Sequence, residues 1–141
     1  MEPVTYTKEY RIHVYETDPD GRLNLCTLLN YFQDIASDHA ERLGFGREDL
    51  IKDNHFWVLS RMYAEFYEWP EWGEKISVRT WPDGTEKLFA LRNFEATSGK
   101  GTRLCSATSS WLILDLSTRR IQRPEAILSR FNRELNPGET Y

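Results

Sequence analysis

At 141 residues the chain has the length of one domain with a sizeable core, and its net charge of −4 argues against nucleic acid, whose backbone demands a concentrated positive face. No apolar run approaches the eighteen or so residues of a membrane span. Two cysteines, Cys26 and Cys105, sit where small buried residues belong, and no signal-like segment precedes them, so reduced thiols in a cytoplasmic protein are expected rather than a disulfide.

After a loose lead-in over residues 1–7, Tyr10, Ile12 and Val14 alternate with Arg11, His13 and Tyr15, which predicts a half-buried strand. Asp18-Pro19-Asp20-Gly21 follows as a tight turn, because proline presets φ and glycine permits a positive φ. Asn24 is placed to cap a helix over residues 24–43. Within it Leu25, Leu28, Leu29, Phe32, Ile35, Ala36, Ala40 and Leu43 form one apolar stripe, and Gly44 supplies the stop. A short helical turn over 47–51 comes next, and then the period changes to two.

Strands are predicted over 56–69, 74–81, 87–97 and 102–116. The first ends at Pro70 and a Trp72-Gly73 turn, while Pro82-Asp83-Gly84-Thr85 and Ser98-Gly99-Lys100-Gly101 are expected as the two hairpin turns of a meander. Pro124 opens a short C-terminal helix. In the last long strand Cys105, Ala107 and Ser109 share a face, so a helix packs closely there, or an acyl chain does; helix packing is the commoner use of such a face. One strand, one long helix and a meander of antiparallel strands predict an α+β hotdog fold, a sheet wrapped around a central helix in a single domain over 1–141.

Trp57-Val58-Leu59-Ser60-Arg61-Met62, then Pro70-Glu71-Trp72-Gly73-Glu74, then Thr80-Trp81 resemble the acyl-acyl-carrier-protein thioesterases, in which W-V-x-x-R-M, P-x-W-G-(D/E) and T-W recur in this order. Ala107 to Trp111 and Thr118-Arg119-Arg120, with Ile121 and Pro124, extend the likeness to nearly the whole chain. It implies hydrolysis of fatty acyl thioesters of acyl carrier protein, or of CoA, to free fatty acid. Enzymes of that family carry two hotdog repeats, with an Asn-His constellation in the second; this chain resembles the first, so none of those residues is transferred. Asp18-Pro19-Asp20-Gly21 is also similar to the D-x-x-G turn of the 4-hydroxybenzoyl-CoA thioesterase class, whose aspartate acts on the thioester carbonyl. Arg22, Leu23 and Asn24 then depart from that class, where a histidine or aromatic residue often follows the glycine.

The expected site therefore has Asp18 and Asn24 as catalytic residues, with backbone amides at the helix entrance holding the oxyanion. Gly21, Arg22, His55 and Trp57 are expected to bind substrate. His13 is read as solvated and His39 as packed; His55 is the histidine most able to reach the helix entrance, with no acidic orienter evident nearby. Arg119, Arg120 and Arg123, with Arg130 and Arg133 beyond them, are candidate contacts for an acidic carrier protein or CoA phosphates, or else a solvated charge run. No metal or nucleotide motif implies a cofactor. A lone hotdog exposes a sheet edge and half a pocket, so a homodimer or a dimer of dimers is expected. Two readings compete with hydrolysis: an acyl-thioester or carrier-protein binding module without turnover, and a hotdog dehydratase, the latter weakened because no histidine closely follows Gly21.

Overall fold

The computed structural model describes residues 5–128, so Arg130 and Arg133 lie outside the described residues. Strand β1 (Tyr6–Arg11) leads through a 3-10 turn (Val14–Glu16) to helix α1 (Leu25–Leu43) and a short α2 (Arg47–Lys52). Four long strands follow: β2 (His55–Phe66), β3 (Lys75–Glu86), β4 (Phe89–Ser98) and β5 (Arg103–Asp115). A two-residue β6 (Ile121–Gln122) and α3 (Pro124–Leu128) close the described chain. The antiparallel sheet has the order β1-β3-β4-β5-β2, with β6 added to β5. This is the α+β architecture expected from the element order. No helix among the described residues is long and apolar enough to cross a membrane.

Helix α1 forms where both ends are closed. The Asn24 side chain accepts the Cys26 and Thr27 N–H groups, and Gly44, at φ 90°, gives its own N–H to the Ala40 and Glu41 carbonyls. Leu28, Tyr31, Phe32, Ile35 and Ala36 then pack against Ile76, Val78, Phe94, Ala96, Leu104, Cys105 and Ala107 of the sheet. Phe32 and Phe94 stack with centroids 4.8 Å apart. The small side chains of β5 thus accommodate the helix, the commoner of the two uses expected for them. A buried polar layer interrupts this core: Arg92 Nη1 reaches His39 Nδ1 at 2.9 Å and Thr80 Oγ1 at 3.2 Å. Because a guanidinium only donates, His39 Nδ1 must accept, which leaves that ring neutral with its proton on Nε2.

Within α1 the buried residues begin only at Leu28, so the first turn of the helix stands outside the core, and this corrects two expectations. Leu25 is 46% exposed and Cys26 is exposed, whereas Cys105 is buried and burial pushes its thiol up to about 12. A thiol reagent at neutral pH is therefore expected to label one cysteine in the native protein and the second only after unfolding. Peptide mapping that finds Cys105 labelled natively would contradict this packing.

Two further expectations fail for local reasons. The first strand ends at Arg11 rather than running on through Tyr15, because the His13 N–H is taken by the Glu16 carboxylate at 2.9 Å; Val14 is left 67% exposed. The Pro82-Asp83-Gly84-Thr85 stretch is a bulge inside β3 and not the hairpin turn. The register slips between Pro82 and Thr85, pairing resumes at Thr85 with Ala90 and at Glu86 with Phe89, and the chain turns at Lys87-Leu88 with Lys87 at φ 54°. A glycine at positive φ, here Gly84 at 78°, serves a bulge as well as a turn.

The two sheet edges differ. β1 is short and strapped to α1 by Lys8 to Asp34 at 3.0 Å and to Asp38, and by the Tyr10 hydroxyl to Asp34 at 2.6 Å. At the other edge, β2 is 12 residues long and among the described residues pairs only with β5, and its inward apolar residues Trp57, Leu59, Met62, Ala64 and Phe66 are only partly buried. A long edge of this kind is the surface on which another sheet adds.

Candidate active site

The loop that carries Asp18 is held from three sides. Within it, Gly21 N donates to the Asp18 carbonyl at 2.8 Å, Asp18 N to the Arg22 carbonyl at 2.8 Å, and Arg22 N to Asp20 Oδ1 at 3.1 Å. From outside, the 69–74 turn zips onto it: Leu23 N donates to the Pro70 carbonyl at 2.8 Å, Trp72 N to the Gly21 carbonyl at 3.1 Å, and Arg22 bridges Glu71. Gly21 sits at φ 84°, and a Cβ there would lie 3.8 Å from Trp72 Cδ1. The P-x-W-G turn is thus a buttress for the Asp-Pro-Asp-Gly loop.

The third side is the helix. Asn24 Nδ2 donates to Asp18 Oδ1 at 3.0 Å, while Asn24 Oδ1 accepts Cys26 N at 2.8 Å and Thr27 N at 3.3 Å. One side chain therefore orients the exposed carboxylate and caps α1. The same geometry corrects the expectation of several open amides at the helix entrance. Leu28 N is also taken, by the Asn24 carbonyl at 3.1 Å, so among the described residues only the Leu25 N–H of the first turn has no acceptor. The positive end of α1 still faces this loop.

His55 and Trp57 do not join this group. Helix α1 carries the chain about 28 Å at 1.5 Å per residue, and β2 starts at that far end, where Trp57 Nε1 donates to the Phe45 carbonyl at 2.9 Å. The expectation that His55 reaches the helix entrance is overturned within one chain, because β2 runs back toward Asp18 and His55 is its first residue. An acidic neighbour does exist, contrary to expectation: Asp53 Oδ2 lies 3.2 Å from His55 Nδ1, too poorly aligned to satisfy that buried nitrogen.

Arg119, Arg120 and Arg123 stand at the same far end, in the turn after β5 and beside β6. The Asp115 carboxylate, held below the usual range by the Thr118 and Ser117 N–H groups, ties this turn. Arg119 sits at φ 62° with its guanidinium 5.6 Å from the Phe56 ring centre. All three arginines are exposed, and among the described residues none pairs with a carboxylate. The described residues contain no cluster of three or more side chains able to hold a metal ion.

The acyl-ACP thioesterase N-terminal domain family model matches residues 3–129. The chain belongs to the acyl-ACP thioesterase family. It is 31% identical over 127 residues to acyl-[acyl-carrier-protein] hydrolase FATB3, chloroplastic, of Cuphea viscosissima, covering 85% of this chain and 31% of that protein. An acyl-ACP thioesterase structure from Bacteroides thetaiotaomicron superposes with a TM-score of 0.83 at 33% identity, over 97% of this chain and 57% of that one. The DHNA-CoA thioesterase of Staphylococcus aureus, at 18% identity and a TM-score of 0.79 over 89% of this chain and 85% of its own, shows the shared hotdog fold. The chain spans about a third of the length of the curated relatives it matches.

Two residues of this end were absent from the sequence reading as site elements. Glu16 and Tyr31 meet at 2.7 Å beside the Asp18 loop. A signal for Tyr31 was its hydroxyl on the otherwise apolar stripe of α1, whereas Glu16 carried none, since a glutamate before a turn is unremarkable in sequence.

Proposed function

We propose that the chain serves the hydrolysis of fatty acyl thioesters of acyl carrier protein or CoA, releasing free fatty acid, with Asp18 as the working carboxylate. The observation that carries this reading is the Asp18–Asn24 contact at the N-terminus of α1, in a chain of the acyl-ACP thioesterase family. Asp18 takes the proton of a water as its oxygen attacks the thioester carbonyl carbon. The carbonyl oxygen becomes the oxyanion beside the Leu25 N–H and the positive end of α1; as it collapses, the carbon–sulfur bond breaks and Asp18 passes its proton to the departing sulfur, leaving the pantetheine thiol, the fatty acid and the Asp18 carboxylate restored. Gly21 and Arg22 line the approach.

A single hotdog unit over 1–141 leaves His55, Trp57 and the three arginines at the wrong end for this chemistry. Antiparallel addition of a second hotdog unit along the outer edge of β2 reunites them: the start of one β2 then lies beside the end of the other, and so beside the other unit's Asp18 loop. In a homodimer Arg119, Arg120 and Arg123 of one copy thus flank the Asp18 site of the next, where they attract an acidic carrier protein or CoA phosphates. Reduced thiols fit a cytoplasmic setting.

The match to an N-terminal domain favours a second reading: a unit that holds the acyl thioester while another hotdog unit hydrolyses it. Light scattering on the purified chain, together with hydrolysis of acyl-ACP and acyl-CoA, separates the two. A dimer with measurable turnover supports the hydrolase. A monomer that binds a non-hydrolysable acyl-pantetheine analogue without turning over the parent ester supports the holding unit.

A further inference from the structure

Glu16 lies two residues ahead of Asp18, and its side chain is only 15% exposed. Its Oε1 accepts the His13 N–H at 2.9 Å and the Tyr31 hydroxyl at 2.7 Å, and lies 3.0 Å from His13 Nδ1. Partial burial pushes the Glu16 carboxyl up, but these hydrogen bonds and the nearby His13 ring together outweigh it and hold the group below its ordinary value. Tyr31 cannot drift. It is 8% exposed in the body of α1, and its ring stacks on Tyr10 with centroids 4.3 Å apart.

The Glu16 main chain carries the same anchor toward the site. Its carbonyl accepts the Asn24 N–H at 2.8 Å, and Asn24 in turn holds the Asp18 carboxylate at 3.0 Å. A continuous path thus runs from Tyr31 through Glu16 and Asn24 to Asp18. We propose that Glu16 is a positioning residue, clamped by Tyr31 so that Asn24 presents the Asp18 carboxylate in one orientation. This rests on the reading of Asp18 as the working carboxylate. A simple cap of the 3-10 turn would need only the His13 contacts; the hydrogen bond to a residue of α1 is what ties Glu16 to the site.

Removing the anchor by Glu16→Ala or Tyr31→Phe is expected to lower kcat about tenfold with KM within about twofold, since misplacement of a reacting group acts on the chemical step. Glu16→Gln keeps an acceptor for Tyr31 and restores most of the rate. Protonated Glu16 keeps a carbonyl oxygen for the Tyr31 hydroxyl just as Glu16→Gln does, so the acid limb of the rate profile is expected to be the same in the wild type and in this variant. An independent readout is the Asn24 side-chain NH2 signal by NMR, which shifts and exchanges faster in Glu16→Ala and Tyr31→Phe. If both variants lose thermal stability while kcat and the Asn24 signal stay unchanged, Glu16 is only a turn cap and the proposal falls. If the Asn24 signal responds but the wild-type protein hydrolyses no thioester, the positioning stands and the role given to Asp18 fails instead.

Discussion

Asp18→Asn is expected to lower turnover of an acyl thioester by about 100-fold or more while leaving the fold intact. The substitution is nearly isosteric, and an amide oxygen still accepts the Asn24 side-chain N–H that Asp18 Oδ1 takes at 3.0 Å. The backbone bonds from Gly21 N and Asp18 N do not involve the side chain, so the loop keeps its shape. What disappears is the ability to take a proton, which acts on kcat rather than on binding. Steady-state kinetics beside a thermal melt decide the matter. Turnover within about threefold of wild type would remove Asp18 from the chemistry, because a general base contributes about 100-fold or more.

The largest effect on stability is expected from Phe32→Ala. Phe32 is fully buried, stacks on Phe94 and lies in the middle of the face that α1 turns to the sheet. Truncation removes the transfer free energy of the ring and leaves a cavity that rigid β-structure cannot collapse around, about 3–5 kcal/mol together. At about 2–4 °C per kcal/mol for a chain of this size, the midpoint falls by about 10 °C. Leu25→Ala, at a position 46% exposed on the same helix, is the matched control and is expected to cost within about 0.5 kcal/mol. A small loss at Phe32, or equal losses at both positions, would mean that α1 does not pack on the sheet as described.

Much of this protein was legible without coordinates, for identifiable reasons. The cap at Asn24, the stop at Gly44 and the apolar spacing between them are local rules read within a few residues, and α1 occupies Leu25–Leu43 accordingly. The period-two stretches became β2 to β5, since alternation is imposed by the pleat itself. The Asp18 loop was likewise recognisable, because proline and glycine restrict φ wherever they stand. Errors arose where one local signal fits two structures. Asp83-Gly84 suits a turn or a bulge, and only the registers of Thr85 and Glu86 with β4 select the bulge. Tyr10 to Tyr15 alternates as a strand would, but the Glu16 carboxylate captures the His13 N–H and ends the strand early.

By itself, then, the sequence determined the order of elements, the helix and its ends, the position of Asp18 and the family likeness, all of which depend on short-range chemistry. Tertiary structure alone decided which groups meet. His55 and Trp57 were expected to bind substrate beside Asp18, yet the helix separates them by its whole length, and β2 brings its other end back to the Asp18 loop. Conversely, Glu16 and Tyr31 lie 15 positions apart and meet at 2.7 Å. Spacing along a chain carries contact information only within one element; once the elements fold across one another, proximity is set by strand order and helix direction, which no local pattern encodes.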